Sequence, residues 1–278
     1  MIQHKLRKAF TFLELTFVIA ILGIVASIGS EIIVRVYEQY IVQKAQHKSA
    51  FKTELVALQI ANRLRDAIPG TVFRILNNDN LEPLSSTAGL TDDYKGLLWV
   101  GASGESFEAS DGSPGWSGLC DLNNTVTSKN SIVTPGSDLT LASSIITNLG
   151  GNIVGSKLFF ANETNATTDH NISSVTNTTA TITLTNIGGA TPRRVSEHYK
   201  LAWTSYALVV VGGDLRLYYN FPATRAANYT TESNNVLMEN ISSFKFSGSE
   251  AGIRFKVCQD ENITATSTIT ACKEKAIY

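Results

Sequence analysis

The chain is poor in the residues on which catalysis, metal binding and nucleic-acid binding usually depend. Of its 278 residues, four are His, three are Cys and two are Met. Charged residues make up 17% and the formal net charge is −1, so the overall charge favours neither nucleic acid nor an acidic ligand as a partner. No CxxC pair offers zinc ligands, and no GxSxG, HExxH or phosphate-binding glycine-rich motif occurs. We therefore expect no enzymatic activity, no metal and no cofactor.

The few polar groups that could form a site are scattered along the sequence. The histidines fall in a basic leader, on a polar helix face and in two loops: His4, His47, His170 and His198. Asp92-Asp93 and Asp111-Gly112-Ser113 could offer oxygen ligands to calcium, but solvated turns are the simpler interpretation. These groups do not predict a membrane-anchored hydrolase, which would need a clustered triad or metal set.

One long apolar run dominates the sequence, and it contains a single acid. Phe12 to Ser30 has no Lys, Arg or Asp and is long enough to cross a hydrocarbon core of ~30 Å as a helix. Within it lies Glu14, and a carboxylate in that position costs roughly 2.5–3.5 kcal/mol on insertion scales. His4, Lys5, Arg7 and Lys8 precede the run, which predicts a cytoplasmic N-terminus by the positive-inside rule. The acid should therefore have a partner and a purpose.

The residues at the start of this run carry a specific resemblance. Lys8-Ala9-Phe10-Thr11-Phe12-Leu13-Glu14-Leu15 resembles the prepilin cleavage and methylation motif of type IV pilins and type II secretion pseudopilins. The resemblance implies cleavage between Ala9 and Phe10, N-methylation of Phe10, and a role in assembly for Glu14, the fifth residue of the mature chain. Ala9 departs from the glycine that is usual before the cut, which bears on the efficiency of cleavage. The match covers about the first 60 residues.

Two simpler interpretations compete at this terminus. A secretory signal peptide has an apolar region of about 7–15 residues and a small-residue cut site, whereas this run is longer and continues into an amphipathic segment. Glu14 could also be tolerated by reaching toward the interface, since it lies near the cytoplasmic end. In the favoured interpretation, Glu14 pairs with the ammonium group of a processed Phe10, either in the same subunit or in a neighbour. Small residues in the run would permit close helix packing: Ala20, Gly23, Ala26, Ser27 and Gly29.

The sequence divides into four segments. We expect a leader over 1–9, a transmembrane and filament-core helix over 10–34, an amphipathic continuation over 35–68, and a β-rich periplasmic domain over 69–278. The amphipathic part is predicted to bury a stripe at helical spacing, and Pro69-Gly70 stops the helix. The stripe comprises Phe51, Leu55, Leu58 and Ala61, flanked by Ile60, Leu64 and Ile68.

For the domain beyond Gly70, the sequence predicts short strands separated by polar loops. The clearest signal is a hairpin formed by 202–211 and 215–220 around Gly212-Gly213-Asp214. Other predicted strands are 71–76, 96–100, 157–161, 180–186, 236–246, 252–257 and a final 272–278. We interpret 102–130 as a loop anchored by Phe107 and Trp116, and 162–179 as an exposed loop. The order indicates an α+β fold, pilin-like, with a long N-terminal helix packed on an antiparallel sheet domain.

Two further features indicate which class of subunit within that family the chain resembles: its length and its C-terminal region. The stretch from Leu237 to Phe255 is similar to J-type minor pseudopilins and related minor pilins, and Glu14 argues against the K-type class, which generally lacks that acid. The resemblance implies a subunit or tip component of a type IV pilus, a type II secretion pseudopilus or a DNA-uptake pseudopilus. It also implies the inner membrane and then a filament as location. The partners would be other pilins, a prepilin peptidase and methyltransferase, and an inner-membrane assembly platform; direct nucleic-acid contact is not expected. The alternative is a tip-located adhesin or a substrate- or DNA-binding module.

The three cysteines fit an exported chain with one disulfide and one thiol left over. Many pilins close a C-terminal loop with a disulfide, and the resemblance implies the pair Cys258–Cys272, fourteen residues apart. The partner of Cys120 stays open.

Eight Asn-x-Ser/Thr sequons also occur, at Asn123, Asn162, Asn165, Asn171, Asn177, Asn228, Asn240 and Asn262. Four have an acid two residues earlier, namely Asn123, Asn165, Asn171 and Asn262. Acids occupy 24 of the 278 positions, so fewer than one such case is expected by chance. The extended pattern resembles the sequon of bacterial periplasmic oligosaccharyltransferases. The competing interpretation is that the surface is rich in Asn and Thr and shows the pattern by coincidence.

Overall fold

The structure is a computed structural model that describes residues 11–84, 94–109, 112–160, 170–185, 194–249, 252–264 and 267–277. Three helices and fourteen strands lie in this part of the chain. The helices are α1 (Phe12–Arg65), α2 (Gly104–Glu108) and α3 (Leu139–Asn148). The strands are β1 (Phe73–Leu76), β2 (Leu81–Pro83), β3 (Tyr94–Gly101), β4 (Ser131–Val133), β5 (Lys157–Phe160), β6 (Ile172–Thr176), β7 (Thr181–Leu184), β8 (Tyr199–Ala202), β9 (Thr204–Val211), β10 (Asp214–Pro222), β11 (Asn234–Met238), β12 (Ile241–Ser249), β13 (Gly252–Thr264) and β14 (Ser267–Ile277).

The chain forms two compact units. One contains Met1–Lys48 and Glu261–Ile269, and the other contains Ser49–Asp260 and Thr270–Tyr278. In the first unit, helix α1 accounts for nearly all of the described residues, and Lys48 Nζ lies 2.6 Å from Glu261 Oε1. Because this ion pair is largely exposed on the lysine side, it contributes little to stability and serves mainly to set position.

In the second unit, the last turns of α1 pack on antiparallel sheets, which confirms the α+β class. A six-stranded sheet has the order β11-β10-β9-β3-β1-β2, and a three-stranded sheet has the order β12-β13-β14. Their shared core with the helix is apolar, with Ala57, Ile60, Trp99, Phe246 and Phe255 as central members. The helix therefore serves as the spine of the larger unit.

The central stripe predicted for α1 is not the buried one, although the predicted flanking residues Ile60, Leu64 and Ile68 are buried. Ser49, Thr53, Val56, Ala57, Ile60 and Leu64 are buried, whereas Phe51, Leu55 and Leu58 are exposed. At 100° per residue, Phe51 and Thr53 lie on nearly opposite sides of the helix, so the prediction rotated the helix by about half a turn. The two buried hydroxyls have partners: Thr53 Oγ1 donates to the carbonyl oxygen of Ser49 at 2.6 Å, and Ser49 Oγ donates to Gln259 Oε1 at 3.5 Å.

The predicted central hairpin is confirmed. Strand β9 pairs with β10 from Val211↔Asp214 onward, and Gly212 and Gly213 join them with φ values of 62° and 88°. These are the left-handed values that a two-residue hairpin loop needs, and glycine adopts them without steric cost.

Several predicted boundaries are wrong. The helix ends at Arg65 rather than Ile68. The predicted strand 236–246 is two strands, β11 and β12, which belong to different sheets and are separated at Asn240 with φ 55°. The strands predicted over 252–257 and 272–278 are longer in the structure, because β13 continues to Thr264 and β14 begins at Ser267. This last error arose because polar residues on an exposed strand give no hydrophobic alternation to detect.

Residues 102–203 form an insertion with its own core, which we call the inserted lobe. It lies between β3 and β9, which pair directly from Gly96↔Val209 to Gly101↔Thr204. The lobe contains α2, α3, the sheet β4-β7-β6 and the pair β5-β8. A separate apolar cluster fills it, including Trp116, Leu139, Ile146 and Leu201.

The sequence interpretation of this lobe was incomplete. The predicted loop 102–130 contains helix α2, and Phe107 does lie against the buried Trp116, with ring centroids 4.8 Å apart. The predicted loop 162–179 includes strand β6, and its residues 162–169 lie outside the described part. Helix α3 was missed, although Asp138 caps it by accepting from Thr140 N and Leu141 N at 3.1 Å.

Candidate functional site on the N-terminal helix

Helix α1 begins with a side-chain cap. Thr11 Oγ1 accepts a hydrogen bond from the backbone N–H of Glu14 at 3.3 Å, which satisfies one of the donors left open at a helix start. Thr11 and Glu14 have the Thr-x-x-Glu spacing of a capping box. The Glu14 carboxylate therefore lies in the first turn, where the partial positive charge of the helix terminus favours an anion. Sequence reasoning assigned Glu14 to assembly and did not notice this second, local role.

The apolar run that follows Glu14 is exposed along its whole length. The large hydrophobic side chains from Phe12 to Ile28 are between 48% and 82% exposed. Soluble monomers rarely expose a continuous apolar surface of this extent. The helix is long and apolar enough to cross a membrane, and none of its most apolar window is buried by the chain itself. The length and exposure of this apolar surface are consistent with a membrane-spanning segment.

Small residues in the run have no packing role within the chain. A Cβ atom placed on Gly23 or on Gly29 would meet nothing within 4 Å, apart from chain neighbours and the helix's own backbone. Gly23 and Ser27 are four residues apart and so share one helix face, the small-xxx-small spacing that permits close helix approach. In the part of the chain that the structure describes, nothing packs against Gly23 or Gly29 at this distance.

The predicted processing site precedes this helix in the sequence. Ala9 and Phe10 are outside the described residues, so the predicted cleavage and N-methylation positions remain predictions. The described chain starts at Thr11, immediately beside them.

The predicted disulfide is present. Cys258 on β13 and Cys272 on β14 are bonded, with their Cα atoms 4.1 Å apart. Cys120 is the free thiol and is buried in the inserted lobe. Desolvation, with a smaller effect of the Asp121 charge, raises the pKa of the Cys120 thiol to about 11. Cys120 is therefore a structural thiol that stays protonated at neutral pH.

The four acid-preceded sequons are in different environments. Asn123 is exposed in a turn of the inserted lobe, Asn171 is half-buried just before β6, and Asn262 is exposed on β13. Asn165 lies outside the described residues.

No group of three or more His, Cys, Asp or Glu that could hold a metal occurs in the part of the chain that the structure describes. The proposed calcium ligands Asp92, Asp93 and Asp111 fall outside that part. Three carboxylates do approach one another near the end of α1. Burial raises the pKa of Asp66, and the negative charges of Glu105 and Glu108 raise it further against the opposing effects of Arg65 and Lys200.

Sequence reasoning missed one contact, an ion pair between α1 and the last strand. Glu54 on α1 binds Lys273 and Lys275 of β14, with Oε–Nζ distances of 2.6 and 3.0 Å. Hydrogen bonds to the two lysines hold the pKa of Glu54 below its usual range. The signal was present, because lysines two apart on a strand point to the same face. Recognising it required knowing that 267–277 is a strand.

Comparison of the chain with protein-family models, with characterised proteins and with solved structures finds no match in any of the three. The functional assignment therefore depends on the residues and on the geometry of this chain.

Proposed function

We propose that the chain is a non-enzymatic minor pilin or pseudopilin, a structural subunit or tip component of a filament assembled from the inner membrane. The observation that carries the proposal is an exposed apolar run of membrane-spanning length at the capped start of α1, whose one acid, Glu14, lies in the first turn of the helix. The last turns of this helix belong to a second compact unit with an apolar core. This arrangement suits a subunit that is stored in a bilayer and then packed helix to helix.

In this proposal a prepilin peptidase cuts between Ala9 and Phe10, and a methyltransferase modifies the new terminus. The ammonium group on Phe10 then pairs with a Glu14 carboxylate of the same or a neighbouring subunit. At ~4 Å, opposite charges attract by about 4 kcal/mol at an effective dielectric of 20. Pairing offsets the cost of keeping either charge at membrane depth, so it selects a subunit in correct axial register.

The test follows the full chain in a host with a working prepilin peptidase and its filament machinery. We expect the mature protein to begin at N-methylated Phe10 by mass spectrometry. Glu14→Gln should abolish or strongly reduce incorporation into filaments while membrane insertion continues. Glu31→Gln is the matched control, since Glu31 lies on the same helix in an exposed ion pair with Arg35. Persistence of the basic leader, or normal incorporation of the Glu14 variant, would contradict the proposal.

A second candidate function is favoured by the inserted lobe. A lobe of about one hundred residues with its own core between two paired strands is more than a filament subunit needs in order to pack. It is suited to a tip-located adhesin or a module that recognises a secreted substrate or DNA. A pull-down with the fragment from about Glu38 onward separates the two: recovery of sister subunits alone supports the structural role, and recovery of a cargo or surface ligand supports the binding module.

A further inference from the structure

We propose that Asn123 is an N-glycosylation site, presented by a turn of the inserted lobe, and that the folded chain withholds the equivalent sequon at Asn171. The inference goes beyond filament assembly, and it relies on the proposed function only for the placement of the domain outside the cytoplasm. Both sequons have an aspartate two residues earlier, so sequence alone treats them as equal.

The turn at Asn123 is held by hydrogen bonds between side chains and backbone, and it leaves the reactive groups exposed. Asp121 Oδ1 accepts from the backbone N–H of Asn123 at 3.0 Å, and Thr127 Oγ1 donates to the carbonyl oxygen of Asp121 at 2.6 Å. The side chains of Asn123 and of Thr125, which supplies the hydroxyl of the sequon, are both exposed. A transferase can therefore reach the amide and the hydroxyl together without unfolding the lobe.

The residues of the sequon at Asn171 take part in the hydrogen bonding and packing of the inserted lobe. The carbonyl oxygen of Asn171 accepts from Thr185 N at 2.8 Å, and Oδ1 of its side chain is buried. The next residue, Ile172, is 1% exposed in the core of the lobe. The sequon hydroxyl on Ser173 donates to the carbonyl oxygen of Thr183 at 3.1 Å. Access would require strand β6 to leave its sheet, which costs its ladder hydrogen bonds and core contacts.

Asn262 is an intermediate case. Its Oδ1 accepts from Thr268 Oγ1 at 2.8 Å across the β13–β14 hairpin. The preceding acid, Asp260, accepts from Thr270 Oγ1 at 2.6 Å. Of the three acid-preceded sequons that the structure describes, Asn123 is thus the one whose amide lies in an exposed turn rather than beside or in a strand.

The chemistry is a group transfer from a polyprenyl-diphosphate-linked oligosaccharide. The amide nitrogen of Asn123 forms a bond to C1 of the first sugar, and the bond from C1 to the diphosphate oxygen breaks. The amide loses one proton, and polyprenyl diphosphate leaves. No oxidant or metal from this chain is involved.

The experiment incubates the purified full chain in detergent with a bacterial oligosaccharyltransferase and this donor, and maps glycopeptides by mass spectrometry. We expect Asn123 to be occupied and Asn171 to be empty. Asn123→Gln and Thr125→Val should each abolish the Asn123 glycopeptide, whereas Asn171→Gln should leave it unchanged. Synthetic peptides covering 118–128 and 166–176 serve as unfolded controls, and both should be modified.

Three results would overturn the proposal. These are equal occupancy of both sites in the folded chain, an empty Asn123 whose peptide is modified, and failure of both peptides as acceptors. A parallel experiment in cells that carry the transferase in the periplasm tests the orientation separately. Modification with the purified enzyme but not in cells would contradict the proposed location of the domain and leave the site itself supported.

Discussion

The carboxylate of Glu54 lies 2.6 Å from the Nζ atom of Lys273, so the spine helix is bound to the C-terminal strand through side chains far apart in sequence. Lys275 completes the contact from the same face of β14. The neighbouring residue Cys272 joins β14 covalently to β13. The last strand is thus held on one side by a disulfide and on the other by an ion triad.

We expect Glu54→Gln to lower the thermal stability of the chain at neutral pH. The folded-state pKa of Glu54 is below its usual range because of the two lysines, so its contribution to stability is present above the usual carboxyl pKa. It is lost as the pH falls through the folded-state value. The measurement is Tm against pH for wild type and variant in detergent, and the two curves should converge at acid pH. Glu239→Gln, at an exposed acid on the same unit, is the control and should leave the curve unchanged.

We expect loss of the disulfide to destabilise the second unit. The bond joins residues fourteen apart, and a loop of this size contributes about 3 kcal/mol in the chain-entropy account. Cys258→Ser with Cys272→Ser should lower the free energy of unfolding by an amount of that order in denaturant titration. An unchanged midpoint would show that the lysine contacts alone hold β14.

Thiol labelling should report the third cysteine separately. Burial raises the pKa of Cys120 to about 11, so the native, non-reduced chain should react slowly with a thiolate-directed reagent near pH 8. Denaturation without reduction should expose one reactive thiol, and reduction should expose three. Cys120→Ala should remove the one thiol that reacts after denaturation without reduction. Rapid labelling of the native chain would contradict the burial of Cys120.

Asp66 is expected to destabilise the fold at neutral pH. Its pKa is raised by burial and by nearby acids, and it follows the last residue of α1, where the helix dipole disfavours an anion. Stability should therefore fall as the pH rises from the usual carboxyl pKa through the raised one. Asp66→Asn should be more stable than wild type above this window and equal to it below. Calorimetry across pH checks the sign, and an Asp66→Asn variant that is less stable at pH 7 would show an unrecognised attractive partner.

Gly23→Leu should leave the fold of the single chain intact and impair filament assembly. A Cβ atom added at Gly23 meets nothing within 4 Å apart from chain neighbours and the helix's own backbone, and leucine is a better helix former than glycine. Its bulk would nevertheless separate two closely packed helices. Circular dichroism in detergent and filament incorporation are the two measurements. Val18→Leu, a change at a position that is already large, is the control and should assemble normally.

The inserted lobe should be removable. Gly101 and Thr204 are register partners, so a two-residue Asn-Gly loop can replace 102–203 and close β3 and β9 into a hairpin. Ile68 and Ala223 would lose apolar contacts with Ala202, at a modest cost. We expect the shortened chain to fold and to enter filaments, with any cargo binding lost. Aggregation of the shortened chain would show that the lobe is part of the scaffold.

The sequence predicted those elements that depend on neighbouring residues, such as a tight turn or an apolar run. The Gly212-Gly213 turn flanked by Val211 and Leu215 predicted a hairpin because glycine tolerates the required backbone angles. The apolar run from Phe12 to Ser30, with its one acid, predicted a membrane-length helix from length and composition alone. The pairing of Cys258 with Cys272 followed from the family resemblance and is confirmed. Processing at Ala9 and Phe10 and the assembly role of Glu14 stay predictions.

The tertiary structure decided which surfaces meet. Phe51, Leu55 and Leu58 are an apolar face of α1 that stays exposed, and the sheets cover the opposite face, with Val56, Ile60 and Leu64, instead. Apolar periodicity shows that a helix has an apolar face. Whether that face is buried depends on which other elements of the chain pack against it. The contact of Glu54 with Lys273 and the different accessibility of Asn123 and Asn171 have the same origin. They depend on strand pairings between distant residues, and those pairings are set by the packing of the whole core rather than by neighbours in the sequence.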